Sequence, residues 1–523
     1  MSTPSSTNAP DSSSLNALPV AVIGAGPVGL AAAAHLLARG ETPLVLEAGK
    51  GVGASIRQWR HVKFFSPWKY TVDSVSVALL EPTGWTMPDP ESAPTGGDIV
   101  ERYIEPLAAL PQIAPCLRFG TRVIAIARRG HDKMKTAGRE GAPFVLRVQC
   151  PDGIEEQVLA RAVIDASGTW STPNPLGADG LPAFGEAAAA AHIFYGIPDV
   201  LGSHRERYAS KRIAVVGSGH SAFNALLELA TLADQAAGTE IAWVVRRTHI
   251  GQLFGGEQND ALPERGKLGS RTHELVDSSA VRYVSLRIAE VRHAAHGLVL
   301  VGEDGQQEGP FDEVVCATGF RPELNLTREL RLELDPAVEA PSALAPLIDP
   351  NVHSCGTVPP HGAEQLKHPE PDFYTVGMKS YGRAPTFLLL TGYEQVRSVV
   401  AAISGDWESA RNVELALPES GVCSTTESTG GSSACCGAST DTPTFATFND
   451  IPDLLLPVLG AAATPSPVLT ASRTGLITLP QATAAPANSC CSTAEQTACC
   501  EPGDKASCCG SEAVLTSSEC GCR

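Results

Sequence analysis

The period of apolar and polar positions changes several times along the chain, and each change marks an element. Val20–Ile23 is a continuous apolar run bounded by glycine, which predicts a short buried strand. From Pro27 to about Arg39 the run is long and apolar and Gly40 closes it, which predicts a buried helix with proline in its first turn. Pro43–Leu46 is a second buried strand. Asp98–Leu110 has the spacing of an amphipathic helix, whereas Leu117–Arg128 and Phe144–Gln149 alternate like a meander. Ala162–Asp165 opens another buried strand that runs into small residues. The same order then recurs, with a strand at Arg212–Val216, a helix from about Ser221 to Asp234 and a strand at Glu240–Val245. Gln258–Ser279 is polar and charged and reads as a long loop or lid. Val281–Val291, Leu298–Val301, Phe311–Ala317 and Phe373–Val376 read as strands. Thr391-Gly392-Tyr393-Glu394 has the form of a capping box, predicting a helix from Gly392 to Ile403 that ends at Ser404-Gly405.

Composition narrows the class. With 523 residues, 43% hydrophobic and 18% charged, the chain has a soluble globular make-up and room for about three domains. A net charge of −18 argues against a nucleic-acid partner or an anionic membrane surface. Leu18–Ala38 is apolar enough to pass for a membrane span, but its three glycines and proline follow a different logic. Residues 1–17 carry no Lys or Arg and are rich in Ser, Thr, Pro and Asn. They read as a disordered N-terminus rather than a signal peptide, and the expected location is cytoplasmic.

The glycines joining strand to helix bring in the first chemistry. In Gly24-Ala25-Gly26-Pro27-Val28-Gly29, Gly24 permits a tight turn, Gly26 lets backbone approach a pyrophosphate, and Gly29 lets the helix pack on its strand. The helix N-terminus then faces the phosphates. Glu47 closes the following strand, where a ribose hydroxyl acceptor belongs. The second unit, Gly217-Ser218-Gly219-His220-Ser221-Ala222, repeats this pattern with Ala222 in the third glycine position. Its partner strand ends in Arg246 and Arg247, a pair suited to a 2′-phosphate and therefore to NADPH. The strands ending at Gly168 and at Thr318-Gly319 finish in small residues, letting backbone pass close to a cofactor. Trp59, Arg60, His61 and Lys63 form a basic, aromatic stretch between the two units; they are the candidates for lining a cofactor ring, against the plainer reading of a packed surface loop.

The cysteines divide the chain. Of 15, Cys116, Cys150, Cys316 and Cys355 are scattered, and the rest follow residue 420. That region changes to Ser, Thr, Ala, Gly, Pro and Cys, with Phe445–Leu459 its one hydrophobic island. It holds the pairs Cys435-Cys436, Cys490-Cys491, Cys499-Cys500 and Cys508-Cys509, and Cys520 with Cys522. Adjacent thiols form disulfides poorly but present two soft sulfurs to a thiophilic ion. Incidental cysteines in a variable tail are the alternative, and the C-x₂-C pairs of ordinary zinc sites are absent. His353, Cys355, His361 and His368 fall in a Pro- and His-rich segment, read as a loop lining a cofactor pocket or, failing that, a zinc site.

These two glycine units, the second inserted in the first, with a small-residue strand end after each, resemble the two-dinucleotide-binding-domain flavoproteins over about residues 18–405. The resemblance implies an α/β fold with two Rossmann-like dinucleotide-binding domains. Residues 18–175 are the first part of the FAD-binding domain, 176–210 a connection, 211–315 the NADPH-binding domain and 316–405 the second part of the FAD-binding domain. Residues 406–523 form a linker and a largely disordered tail. Disulfide reductases of this group keep a cysteine pair beside the flavin, and none occurs in Val20–Leu110 or Lys211–Val315. Ala166–Pro173 and Ala317–Phe320 resemble instead the crossing motifs of NADPH-dependent flavin-containing monooxygenases. Phe194–Val200 begins like that family's identifying stretch, with Val200 where it has histidine. The monooxygenase resemblance implies that NADPH reduces FAD, that the flavin binds molecular oxygen as a C4a-hydroperoxide, and that one oxygen atom passes to a small soft nucleophile. The thiol pairs resemble those of arsenic- and mercury-handling proteins, which implies metal(loid) capture and a role in arsenic or other metal(loid) resistance. A flavin reductase feeding electrons to the tail thiols, and a thiol-rich sequestering protein, are the alternatives.

Overall fold

A computed structural model describes residues 15–247, 253–254, 262–351, 358–385 and 387–413. The tail cysteines, together with His353 and Cys355, lie outside these. Strand β1 (Val20–Ile23) is fully apolar because both faces are covered, and helix α1 (Pro27–Ala38) packs along it with its small alanines inward. Strand β2 (Pro43–Leu46) pairs with β1 in parallel, Val20 opposite Pro43, and β7 (Ala162–Asp165) flanks the other side, Ile23 opposite Asp165. With β3 (Leu117–Arg118) and β16 (Phe373–Thr375) they form a five-stranded parallel sheet in the order β16-β7-β1-β2-β3. This is a doubly wound plan, and its C-terminal strand ends all open onto one edge.

A second sheet repeats the plan in the order β11-β10-β9-β15-β8. Its centre is β9 (Arg212–Val216), between β10 (Glu240–Val245) and β15 (Glu313–Cys316), with β11 (Arg282–Ser285) and β8 (Ile193–Tyr195) at the edges. Helix α2 (His220–Gln235) follows β9 as α1 follows β1. Each sheet carries a three-stranded antiparallel meander: β4 (Arg122–Arg128), β5 (Phe144–Gln149) and β6 (Glu155–Ala160) on the first, and β12 (Ile288–Ala294), β13 (Gly297–Gly302) and β14 (Gln307–Phe311) on the second. The first meander is tied down by a buried Arg128–Glu370–Arg139 network, at 2.8 and 2.7 Å.

The structure corrects several expectations. Leu117–Arg128 breaks at Gly120, at φ +64°, so its halves serve two different sheets. Asp98–Leu110 is helical but includes a π turn at Val100–Ile104, and its start is capped by Thr95 with Asp98 reciprocating. The stretch expected to be a loop or lid instead contains helix α3 (Pro263–Asp277). Proline at its first turn and Glu264 beside it favour the start, and the buried face is Arg265, Gly266, Leu268, Gly269 and Thr272, with too few apolar residues for a clear period. The helix expected from a Thr391 capping box is α4 (Leu389–Ile403), which begins earlier, with Leu388 at the N-cap and no side-chain cap. Thr391 is buried inside it, and Gly392 allows close packing: a Cβ there would lie 2.7 Å from Phe387 and 2.9 Å from Val28.

Candidate functional site

The first cradle is shaped by contacts that exclude side chains. Gly24 sits at φ +98°, and a Cβ on it would meet the Ala166 carbonyl oxygen at 2.8 Å. A Cβ on Gly29 would lie 2.0 Å from the Gly24 oxygen. Gly26 is different: it is the N-cap of α1, no side chain caps the helix, and a Cβ there would touch nothing within 4 Å. The free space and uncapped helix end fit a dinucleotide pyrophosphate, so this first cradle fits FAD. Glu47 lies at its rim, where Oε2 accepts from the Ala25 N–H at 2.8 Å and Oε1 from the Gly49 N–H at 2.6 Å.

The second cradle repeats the arrangement. Gly217 is at φ +134°, with the Ala317 oxygen 2.3 Å from a built Cβ, and Gly219 caps α2 with open space around it. Ser221 and Ala222 lie in the first turn, Ala222 buried and donating to the Gly219 carbonyl at 2.9 Å. Arg246 and Arg247 follow β10; the Arg246 guanidinium donates to the Ala178 carbonyl at 3.3 Å, and the Arg247 carbonyl accepts from the Tyr283 hydroxyl. Space and donor set therefore fit NADPH.

The segment that follows Gly168 runs beside the Thr318-Gly319 turn, with Pro173 bridged to Phe320. Asn174 joins them: its N–H donates to the Gly319 carbonyl at 2.9 Å, its amide to the Thr318 carbonyl at 3.0 Å, and its own carbonyl accepts from the Thr318 hydroxyl at 2.9 Å. Gly168 and Gly319 are left-handed at φ +70° and +90°. Beyond them Trp170 stacks on Phe320 at 4.5 Å, and Trp59 tilts against Trp170 at 6.2 Å and Phe64 at 5.4 Å. These half-buried rings form an apolar wall between the two units.

The loop carrying Trp59, Arg60, His61 and Lys63 is brought to this junction, but its side chains diverge. Trp59 faces the aromatic wall, while Arg60 is exposed and pairs with Glu101. His61 turns towards Glu228 on α2 at 3.8 Å, and Lys63 reaches Glu264 on α3 at 3.0 Å.

Sequence reasoning missed a buried ion pair. Asp165 ends β7 without exposure; its Oδ2 accepts from the Lys379 ammonium at 2.7 Å, and Lys379 also donates to the Ser167 hydroxyl at 3.1 Å. A carboxylate closing a wholly apolar strand was the available signal, since such a group demands a buried partner. Gly377, at φ +70° and packed on Val28, places Lys379 in the corner where the N-terminal turns of α1 and α4 meet. A buried cation and two helix N-termini therefore converge beside the first cradle.

Of the residues of the zinc alternative only His361 and His368 are described, and among the described residues no group of three or more potential ligands occurs. The His361 imidazole contacts the Gln395 amide at 2.9 Å, and His368 Nδ1 accepts from the Glu333 N–H at 3.3 Å. Among the described residues no helix is long and apolar enough to cross a membrane.

Comparison with known proteins agrees with this architecture. The sequence profile of the pyridine nucleotide-disulphide oxidoreductases matches residues 18–369. Indole-3-pyruvate monooxygenase YUCCA1 of Oryza sativa subsp. japonica is 29% identical over 243 residues, 45% of this chain and 50% of that protein, so the chain spans about half the length of the curated relative it matches. The bacillithiol disulfide reductase of Bacillus cereus superimposes with a TM-score of 0.54 at 18% identity, over 74% of this chain and 99% of that one. The FAD-bound cadaverine monooxygenase of desferrioxamine biosynthesis from Erwinia amylovora gives 0.50 at 13% identity, over 80% and 99%. With the profile covering both cradles and most of the chain, the chain belongs to the pyridine nucleotide-disulphide oxidoreductase family, and FAD and NADPH are the cofactors that fit it.

Proposed function

We propose that the chain is an NADPH-dependent flavoprotein oxidoreductase of the monooxygenase kind. NADPH and a proton would supply the reducing equivalents, one atom of O₂ would pass to a small soft nucleophile and the other would leave as water. Cys316 is the observation that supports this reading over dithiol reduction. It is the described cysteine at the second small-residue turn, held against Thr318 at 3.2 Å and the Asn174 carbonyl at 3.5 Å. Burial pushes its thiol up to about 12, so it offers no thiolate to take electrons from a flavin. The monooxygenase named among the relatives supports the same direction.

FAD, when bound, supplies the redox chemistry, and the chain's residues position and shield it. Gly24, Gly26, Gly29 and the amides opening α1 would hold its pyrophosphate, and Glu47 its ribose. Gly168 and Thr318-Gly319 would let backbone lie close to the ring, while Trp59, Phe64, Trp170 and Phe320 exclude water from the junction. Gly217, Gly219, Ser221 and Ala222 would cradle NADPH, with Arg246 and Arg247 on the 2′-phosphate. Arg60, His61 and Lys63 would shape the loop between the cofactors. The tail pairs from Cys435 to Cys522 would capture a metal(loid), giving the enzyme a role in arsenic or other metal(loid) resistance.

Deleting residues 421–523 tests both parts. NADPH-driven oxygen consumption should persist, with metal(loid) binding lost. Loss of turnover would instead make the tail thiols the electron acceptor, and NADPH oxidation that continues over many turnovers without oxygen would refute oxygen transfer.

A further inference from the structure

Three contacts join the loop of the first unit to the second: Phe65 against His220 at 5.0 Å, Lys63 with Glu264 at 3.0 Å, and His61 facing Glu228. The last differs from the others. His61 Nε2 and Glu228 Oε2 lie 3.8 Å apart, and each is buried without a hydrogen-bond partner. Two orphaned polar atoms aimed at one another are costly, unless one carries a proton for the other. The Pro198 carbonyl lies at the ring as a hydrogen-bond acceptor, which favours a proton on Nδ1 and leaves a lone pair on Nε2. Oε2 is then the side that must bear hydrogen.

The surroundings agree. Burial pushes the Glu228 carboxyl up to about 7; the Asp199 charge adds to the shift and the Val200 N–H opposes it. Burial lowers the His61 imidazole, with Asp199 opposing and His204 reinforcing. Asp199 and His204, on the segment leading into β9, are the other ionisable groups facing the couple, and Asp199 is held below its ordinary value by Ser203 and His61. Near neutrality Glu228 is therefore the member of the couple that gains and loses a proton.

We propose that the protonated Glu228 carboxyl closes the 3.8 Å gap to His61 Nε2 and that this one hydrogen bond latches the second unit onto the loop of the first, so that losing the proton frees the second cradle from the junction. This rests on the reading that the second cradle holds NADPH. With the proton gone, a buried carboxylate oxygen faces a lone pair and the Asp199 charge, and the contact opens. Both groups are positioning residues: they seat α2, whose first turn is the cradle.

Glu228→Gln tests this, because its amide N–H stands permanently where the proton would be. The FAD-loaded full-length chain is mixed anaerobically with NADPH from pH 6 to pH 9. In the native protein flavin reduction should slow by up to about tenfold per pH unit above neutrality, as one proton requires. In Glu228→Gln the fall should vanish. Hydrogen exchange of the 59–65 amides, corrected for the intrinsic rate, should rise over the same range in the native chain and stay flat in the variant. Matching pH profiles or matching exchange in the two proteins would overturn the latch. A flavin that NADPH bleaches at no pH would overturn the reading of the second cradle, and the exchange comparison would still decide the latch.

Discussion

Gly26 and Gly29 separate a glycine needed for a ligand from one needed for the fold. Gly29→Ala drives a Cβ to 2.0 Å from the Gly24 carbonyl oxygen, a backbone atom that has no rotamer to escape through. The turn must shift, costing about 1–3 kcal/mol, as overpacking does elsewhere. Gly26→Ala adds the same methyl where nothing lies within 4 Å, on extended backbone at φ −80°, ψ −177° that any residue adopts. Its fold should keep its stability. The methyl would instead occupy the space in front of the uncapped α1 terminus, where the pyrophosphate belongs. Losing about two charge-assisted hydrogen bonds there costs about 3 kcal/mol, roughly a hundredfold in FAD affinity. Urea unfolding of the deflavinated proteins reads the first effect, and flavin fluorescence titration reads the second. The reasoning fails if Gly26→Ala binds FAD as the native chain does, or destabilises the apoprotein as much as Gly29→Ala.

Further perturbations test the remaining parts of the site. Arg246→Ala with Arg247→Ala should weaken NADPH about tenfold or more while leaving NADH nearly unchanged; equal losses in calorimetric titrations would remove the 2′-phosphate assignment. Lys379→Met strands the Asp165 carboxylate and should cost about 3–5 kcal/mol in urea unfolding, whereas Lys379→Met with Asp165→Asn should recover most of it. His368, buried and lowered to about 4, binds its proton more weakly folded than unfolded, so its contribution is full above about pH 6.5 and is lost as pH falls through about 4. His368→Gln should therefore flatten the acid limb of the stability profile, and an unchanged limb would contradict the assignment.

Both cradles were legible in the sequence because Gly24, Gly29 and Gly217 answer backbone constraints that only glycine meets, and their strands are apolar on both faces. The helix α3 was not legible, since its buried face holds one leucine among two glycines, a threonine and an arginine. The start of α4 misled for the opposite reason: Thr391 has capping chemistry, yet burial against α1 carries the helix back past it to Leu389. The junction lies beyond local pattern altogether. Asp165 and Lys379 are far apart in the chain, as are His61 and Glu228, and only the docking of sheets and helices makes partners of them. The loop from Trp59 to Lys63 was recognisable as chemically rich, but which side chains face the aromatic wall and which turn to carboxylates is decided by the elements packed around it.

Anaerobic mixing of the purified, FAD-loaded chain with NADPH tests the two-cradle account most directly. Full bleaching of the flavin by about one equivalent of NADPH is the predicted result, since a nicotinamide in the second cradle must reach an isoalloxazine held by the first. A chain that takes up no FAD, or whose bound flavin stays oxidised under excess NADPH, would contradict it.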